Sequence, residues 1–179
     1  GGTAEIAVIA LGGIVTNKSI RVAGDDFTDE IIEYMRKEHN LNVGERTAEL
    51  IKIEVGAAIQ DLDNPPEEYS VHGRDMLTGI PKEIKVNYRE IAHCLDKSIS
   101  KIETAVLNTL ETTPPELSAD IFRTGIYLTD GGALLRGLDK RLHAKTNLPI
   151  HVAEDPLRTV ARGTGIALKN FDKFPFLIK

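Results

Sequence analysis

From Ile126 onward the chain alternates between strand-forming and helix-forming stretches, and this alternation restricts the possible folds more than any other feature. A strand over 126–129 ends in Thr-Asp-Gly-Gly and hands over to a helix predicted to reach about 143. The strand "PIHVA" (149–153) passes through "EDP" into a helix over 157–169. Such alternation of strand and helix argues an α/β sheet layered with helices.

The preceding chain is consistent with that class. "AEIAVIAL" (4–11) and "GIVTNKSIRV" (13–22) read as a hairpin turning at Gly12-Gly13. Asp25 and Asp26 occupy helix-cap positions, followed by Phe27, Ile31 and Met35 at helical spacing. A second helix is predicted over 44–59, stopped by Asn64-Pro65-Pro66, and short strands over 68–86. Asn87 with Glu90 resembles a capping box for a long helix striped by Ile91, Leu95, Ile99, Ile102, Val106 and Leu110. A short helix over 116–123 closes at Gly125. The resulting expectation is a main part from 1–40 and 113–179, with a smaller inserted lobe over 41–112.

Composition narrows the function. The 179 residues are 41% hydrophobic and carry a net charge of −5, with Lys and Arg dispersed, so there is no electrostatic footprint for nucleic acid. No apolar run approaches the roughly 18 residues of a membrane span, and no signal peptide is visible. Cys94 is alone, which rules out an internal disulfide and fits a reducing cytosol. The chain starts without Met at the edge of a strand, as expected of a piece of a longer protein.

Three stretches have the makings of a binding site. Gly1-Gly2-Thr3 would let phosphate oxygens approach backbone N–H groups, with a hydroxyl beside them; the other reading is a chain end or tag remnant. Glu45, Glu49, Lys52 and Gly56 follow in steps of four, three and four, which at about 100° per residue places them on one helix stripe. That stripe would face a ribose and a base, or it is a solvated face with an ion pair worth about 0.2–0.5 kcal/mol. Thr129-Asp130-Gly131-Gly132 is either a tight turn or a place where phosphate lies against bare backbone at a helix start. It is no Walker A loop, and "GTGIAL" (163–168) is no dinucleotide fingerprint. Asp155 before Pro156 reads as a helix cap. The five histidines lack metal-ligand spacing, and no catalytic or metal-binding residue is assigned.

Taken in order, "GGTAEIAVIALGGIVTNKSIRVAGDDFTDEII", "NVGERTAELIKIEVGAA", "GRDMLTGIPKEI", "TPPELSADIFRTGIYLTDGGALLRGLD" and "VAEDPLRTVARGTGIAL" resemble the MreB-type bacterial actins along essentially the whole chain. The resemblance implies an actin-like, ribonuclease-H-type α/β fold of which this chain is the second large domain, with ATP (and Mg2+ in the full-length protein) in a cleft between domains. It implies that Gly1, Gly2 and Thr3 end the second phosphate loop and that Glu49 and Lys52 hold the adenosine. It also implies that Asp130, Gly131, Gly132, Ala133 and Leu134 form the loop along the nucleotide. Asp130 stands where the family usually has a third glycine, and a carboxylate facing phosphates there would weaken binding. The implied whole is a cytoplasmic, slow ATPase that self-associates into filaments at the inner face of the cell membrane. Such filaments guide peptidoglycan synthesis with cell-shape and wall-synthesis membrane proteins. Membrane contact and the water-activating acid belong to the other domain, so this chain alone is not expected to be active. A metabolic kinase or a chaperone-type ATPase of the same superfold is the rival reading.

Overall fold

The computed structural model describes residues 1–10 and 12–170. Leu11, at the end of the first predicted strand, and 171–179, in the predicted main part, lie outside the described residues. Strands β1 (Ala4–Ala10) and β2 (Gly13–Ile20) form the expected antiparallel hairpin, with Ala10 opposite Gly13 and a bulge between Val8 and Ile9. Gly12 makes the turn at φ +74°, a conformation that glycine enters without a Cβ clash.

Helix α1 (Gly24–His39) buries Phe27, Ile31 and Met35. The predicted caps are displaced by a few residues. Ala23 is the N-cap, and Asp26 serves from the first turn by accepting the Ala23 N–H at 2.9 Å. Helix α2 (Glu45–Val55) is shorter than the predicted 44–59. Its backbone leaves helical geometry at Gly56 (ψ 132°), and the Ala58 N–H pairs with Arg136 O at 2.8 Å rather than continuing the helix. Gly56 is therefore a helix end, not a mid-helix glycine. A Cβ there would lie 2.1 Å from Lys52 O and 3.1 Å from Leu135 Cδ1, so packing alone accounts for this glycine.

Strands β3 (Leu41–Asn42), β4 (Tyr69–Asp75) and β5 (Pro81–Val86) form a three-stranded antiparallel sheet in chain order. The capping box at Asn87 and Glu90 is realised: Asn87 Oδ1 accepts from the N–H groups of Arg89 (3.0 Å) and Glu90 (3.1 Å), and Glu90 Oε1 from that of Asn87 at 2.7 Å. It opens α3 (Tyr88–Glu111), whose stripe packs on α1 and on the β1–β2 hairpin. Ile91, Leu95, Ile99 and Val106 are buried, while Ile102 and Leu110 are partly buried against the same cluster. Each fully buried aliphatic side chain contributes about 1.5–3 kcal/mol.

A 3-10 turn (Pro115–Leu117) and α4 (Ser118–Thr124) lead to Gly125, which has φ +79°. Strands β6 (Ile126–Leu128) and β7 (Ile150–Val152) are parallel, with Ile126 opposite Ile150. The helix predicted to run unbroken from the glycine pair to about 143 is two pieces. A 3-10 turn (Gly131–Leu134) is followed by a break at Gly137 (φ +75°) and then by α5 (Leu138–Thr146). Glycine is needed at the break, both for its φ and because a Cβ on Gly137 would lie 2.6 Å from Ile59 Cγ1. Arg141 on α5 grips the buried Glu103 of α3 with two bonds of 2.8 and 3.1 Å, and its Nη1 lies 2.9 Å from Asp96 Oδ1. After a further 3-10 turn (Pro156–Arg158) comes α6 (Thr159–Lys169). Asp155 occupies the cap position there, but its side chain makes no cap bond and lies 3.9 Å from Arg158 Nε. The alternation thus yields an α/β chain with three separate small sheets among the described residues, rather than one continuous sheet.

Candidate functional site

Helix α2 is the element on which the predicted stretches converge. Near its C-terminal end the Lys52 ammonium lies 2.6 Å from Glu49 Oε2 and donates to Gly24 O at 2.9 Å and to Thr28 Oγ1 at 3.0 Å. The Thr28 hydroxyl lies 2.8 Å from Glu49 Oε2 and 3.0 Å from Gly24 O, either of which accepts its single proton. Lys52 is only 16% exposed, Glu49 47% and Thr28 4%. Desolvation works against the Glu49 charge, but the hydrogen bonds from Lys52 and Thr28, with the nearby ammonium charge, hold its carboxyl below the usual carboxylate range. Lys52 is therefore anchored inside the fold, while the Glu49 half of the pair stays open to water. All three ammonium protons of Lys52 have protein acceptors, whereas Glu49 Oε1 makes no hydrogen bond among the described residues. Glu49 is the member of the pair that has a free face, and Glu45 is exposed one turn earlier.

The same network reaches the start of the chain. Gly1 O accepts the Asp25 N–H at 3.4 Å, and a Cβ built on Gly24 would lie 3.6 Å from Lys52 Nζ and 3.8 Å from Gly1 O. Gly1, Gly2 and Thr3 are exposed and run beside the N-terminus of α1, whose first residue is the Gly24 that Lys52 anchors. Thr28, Gly24 and Asp25 were not singled out as site residues from the sequence. No local pattern marks Thr28, since it meets Glu49 across 21 residues of chain.

The glycine turn is attached to the same, C-terminal end of α2. Arg136 Nη1 donates to Ile53 O at 2.9 Å, Ala57 and Arg136 form a parallel bridge, and Leu135 closes on Gly56. Within the turn, Ala133 is buried and belongs to the packing, whereas Leu134 is 55% exposed. Left-handed backbone, which would explain glycines as a tight turn, occurs at neither Gly131 nor Gly132; it falls on Asp130, at φ 66° and ψ 178°. A Cβ on Gly131 would meet only the tip of Leu157 at 3.3 Å, and one on Gly132 would meet nothing within 4 Å among the described residues. The fold does not require a glycine at 132. The bare, exposed backbone of 131–132 suits the close approach of a ligand, and Glu49 Oε1 suits a hydroxyl or amine donor. The Asp130 carboxylate does not suit an anion: its Oδ1 already accepts the Gly131 N–H at 2.8 Å. A separate cleft, lined by Ala58, Gln60, Asp96, Lys140 and Arg141, touches none of the predicted residues.

Comparison with known proteins gives the family and the fold. A family model described as "MreB/Mbl protein" matches residues 1–175. Over 175 residues the chain is 50% identical to the cell shape-determining protein Mbl of Bacillus subtilis (strain 168), covering 98% of this chain and 52% of that protein. Over 172 residues it is 45% identical to the cell shape-determining protein MreB of Escherichia coli (strain K12), covering 96% of this chain and 49% of that protein. The crystal structure of MreB5 of Spiroplasma citri bound to AMPPNP matches with a TM-score of 0.90 at 41% identity, over 96% of this chain and 51% of that one. The MamK double helical filament, at 18% identity and a TM-score of 0.77 over 94% of this chain and 52% of that one, shares the fold. The chain spans about half the length of the curated relatives it matches. The actin-like α/β class is thereby established. Matched from residue 1 to residue 175 by the family model and 45–50% identical to these two relatives, this chain belongs to the MreB/Mbl family.

Proposed function

We propose that this chain is the second half of an actin-like protein and supplies one wall of an adenine-nucleotide cleft. The observation that carries the reading is Gly132, a glycine that its own fold leaves in open space on an exposed turn tied to α2. The MreB5 structures bound to AMPPNP and to ADP, both at 41% identity, support a nucleotide as the ligand. In this reading Glu49 faces the nucleoside. Gly1, Gly2 and Thr3 lie toward the phosphates on the α1 side, and Gly131, Gly132 and Leu134 run along the nucleotide, with Ala133 packed beneath them. Lys52 holds Glu49 and the start of α1 in place rather than reaching the ligand.

The inserted lobe over 41–112 is proposed on the sheet β3–β5 that it contains, with α3 joining it to the hairpin of the main part. The full-length protein is proposed to bind ATP with Mg2+, to hydrolyse it slowly and to self-associate into filaments at the inner face of the cell membrane. There it would determine rod shape together with wall-synthesis membrane proteins. The names of the relatives, cell shape-determining proteins, support this reading over a metabolic kinase or a chaperone-type ATPase.

The test is Gly132→Ala in the full-length protein. The substitution should leave the melting curve unchanged or raise it slightly, since a Cβ there meets nothing. Affinity for a fluorescent ATP analogue should fall about tenfold or more, because the Cβ stands where the ligand must touch backbone. Unchanged affinity would overturn the reading.

A further inference from the structure

We infer that Asp130 is an internal anion at the glycine turn, occupying the Gly131 N–H that a nucleotide phosphate would otherwise take. The inference rests on the nucleotide reading above. Asp130 Oδ1 accepts the Gly131 N–H at 2.8 Å, and the side chain is exposed. Its backbone lies at φ 66° and ψ 178°, a region populated essentially by glycine alone. It is held there by its own N–H to Pro156 O at 2.9 Å and by the Ala133 N–H to Asp130 O at 3.1 Å. Among the described residues no Lys, Arg or His forms an ion pair with it, so the side chain stands at the mouth of the turn without a cationic partner.

Two consequences follow for a phosphate arriving at this turn. It meets an N–H group that already has an acceptor, and it meets a like charge. Glycine would relax the backbone and free the N–H, whereas aspartate opposes the ligand on both counts. Nucleotide binding therefore depends on a cation arriving with the phosphates or on the carboxylate swinging away. The expected result is a weaker and more magnesium-dependent grip than a neutral residue would give.

The experiment compares the full-length protein with its Asp130→Asn and Asp130→Gly variants. Asparagine is nearly isosteric with aspartate, so it keeps the same backbone strain and an acceptor for the Gly131 N–H and isolates the charge. Each protein is titrated with a fluorescent ATP analogue at low and high magnesium and at low and high salt, with melting curves to confirm folding. At low salt without magnesium, Asp130→Asn should bind at least about fivefold tighter than the parent protein, the ratio for one pair of unit charges near 4 Å in a water-like dielectric. Asp130→Gly should bind tighter still. Both advantages should shrink at high salt, where the Debye length falls to about 3 Å, and at saturating magnesium. A merely structural role would leave no salt or magnesium dependence in these ratios. Equal affinities of all three proteins at low salt overturn the inference and leave the nucleotide reading standing. Absence of binding by all three overturns both.

Discussion

Replacing Lys52 by Met should destabilise the chain far more than replacing Glu49 by Gln, although the sequence presents the two as one surface pair. The Lys52 side chain is 16% exposed and its ammonium has three acceptors: Glu49 Oε2 at 2.6 Å, Gly24 O at 2.9 Å and Thr28 Oγ1 at 3.0 Å. Methionine keeps the length and apolar character of the stem but removes every donor. Hydrogen bonds to charged groups are worth about 1.5–3 kcal/mol, and removing one partner of a buried ion pair costs about 3–5 kcal/mol. Glu49 is 47% exposed, so water takes over its half of the pair and lowers the total. The expected loss is therefore about 2–3 kcal/mol, or about 4–12 °C in Tm for a domain of this size. Glu49→Gln leaves Lys52 its other two acceptors and should cost less than about 1 kcal/mol. Urea unfolding followed by circular dichroism, with matched m-values, measures both. The reasoning is refuted if Lys52→Met unfolds within about 0.5 kcal/mol of the parent protein, or if Glu49→Gln costs as much. The pH dependence has a definite sign as well. The folded-state carboxyl of Glu49 lies below its ordinary value of 4.5, so its contribution is present above that value. It is lost as pH falls through the lowered one, and Glu49→Gln should flatten that part of the acid limb.

Cys94 is partly buried and its thiol is pushed up to about 12, by burial first and by Glu30 second. Alkylation at pH 8 should therefore run about a thousandfold slower in the folded chain than in urea, and comparable rates would contradict the burial. Gly125→Ala should cost more than about 2 kcal/mol, because φ is +79° and the added Cβ would lie 2.1 Å from Pro149 O. A melting curve unchanged by that substitution would mean that β6 and β7 are not held as described.

Some of this was readable in the chain and some was not, for reasons that differ by residue. The hairpin at Gly12, the capping box at Asn87 and Glu90 and the stripe from Ile91 to Leu110 are local or periodic, so spacing alone locates them. A Cβ on Gly56 would strike Lys52 O as well as the distant Leu135, and one on Gly137 would strike Ile59, 78 positions away; spacing in the sequence signals neither glycine. The role of Lys52 was hidden in the same way. Its spacing from Glu49 suggested an ion pair offered to a ligand, but its burial depends on Gly24 and Thr28 in another helix. The glycines at 56, 125 and 137 are explained by atoms a Cβ would strike, and Gly132 is not. Only the folded backbone separates these cases.

The central claim is that the glycine turn and α2 together form one wall of a nucleotide cleft. Hydrogen–deuterium exchange of the full-length protein, with and without saturating Mg-ADP at a concentration that keeps it monomeric, tests this most directly. Slowed exchange is expected in peptides covering 1–3, 45–52 and 129–135, with 138–146 on α5 unchanged. Protection confined to the cleft around Arg141, with the glycine turn exchanging as fast as in the free protein, would contradict it.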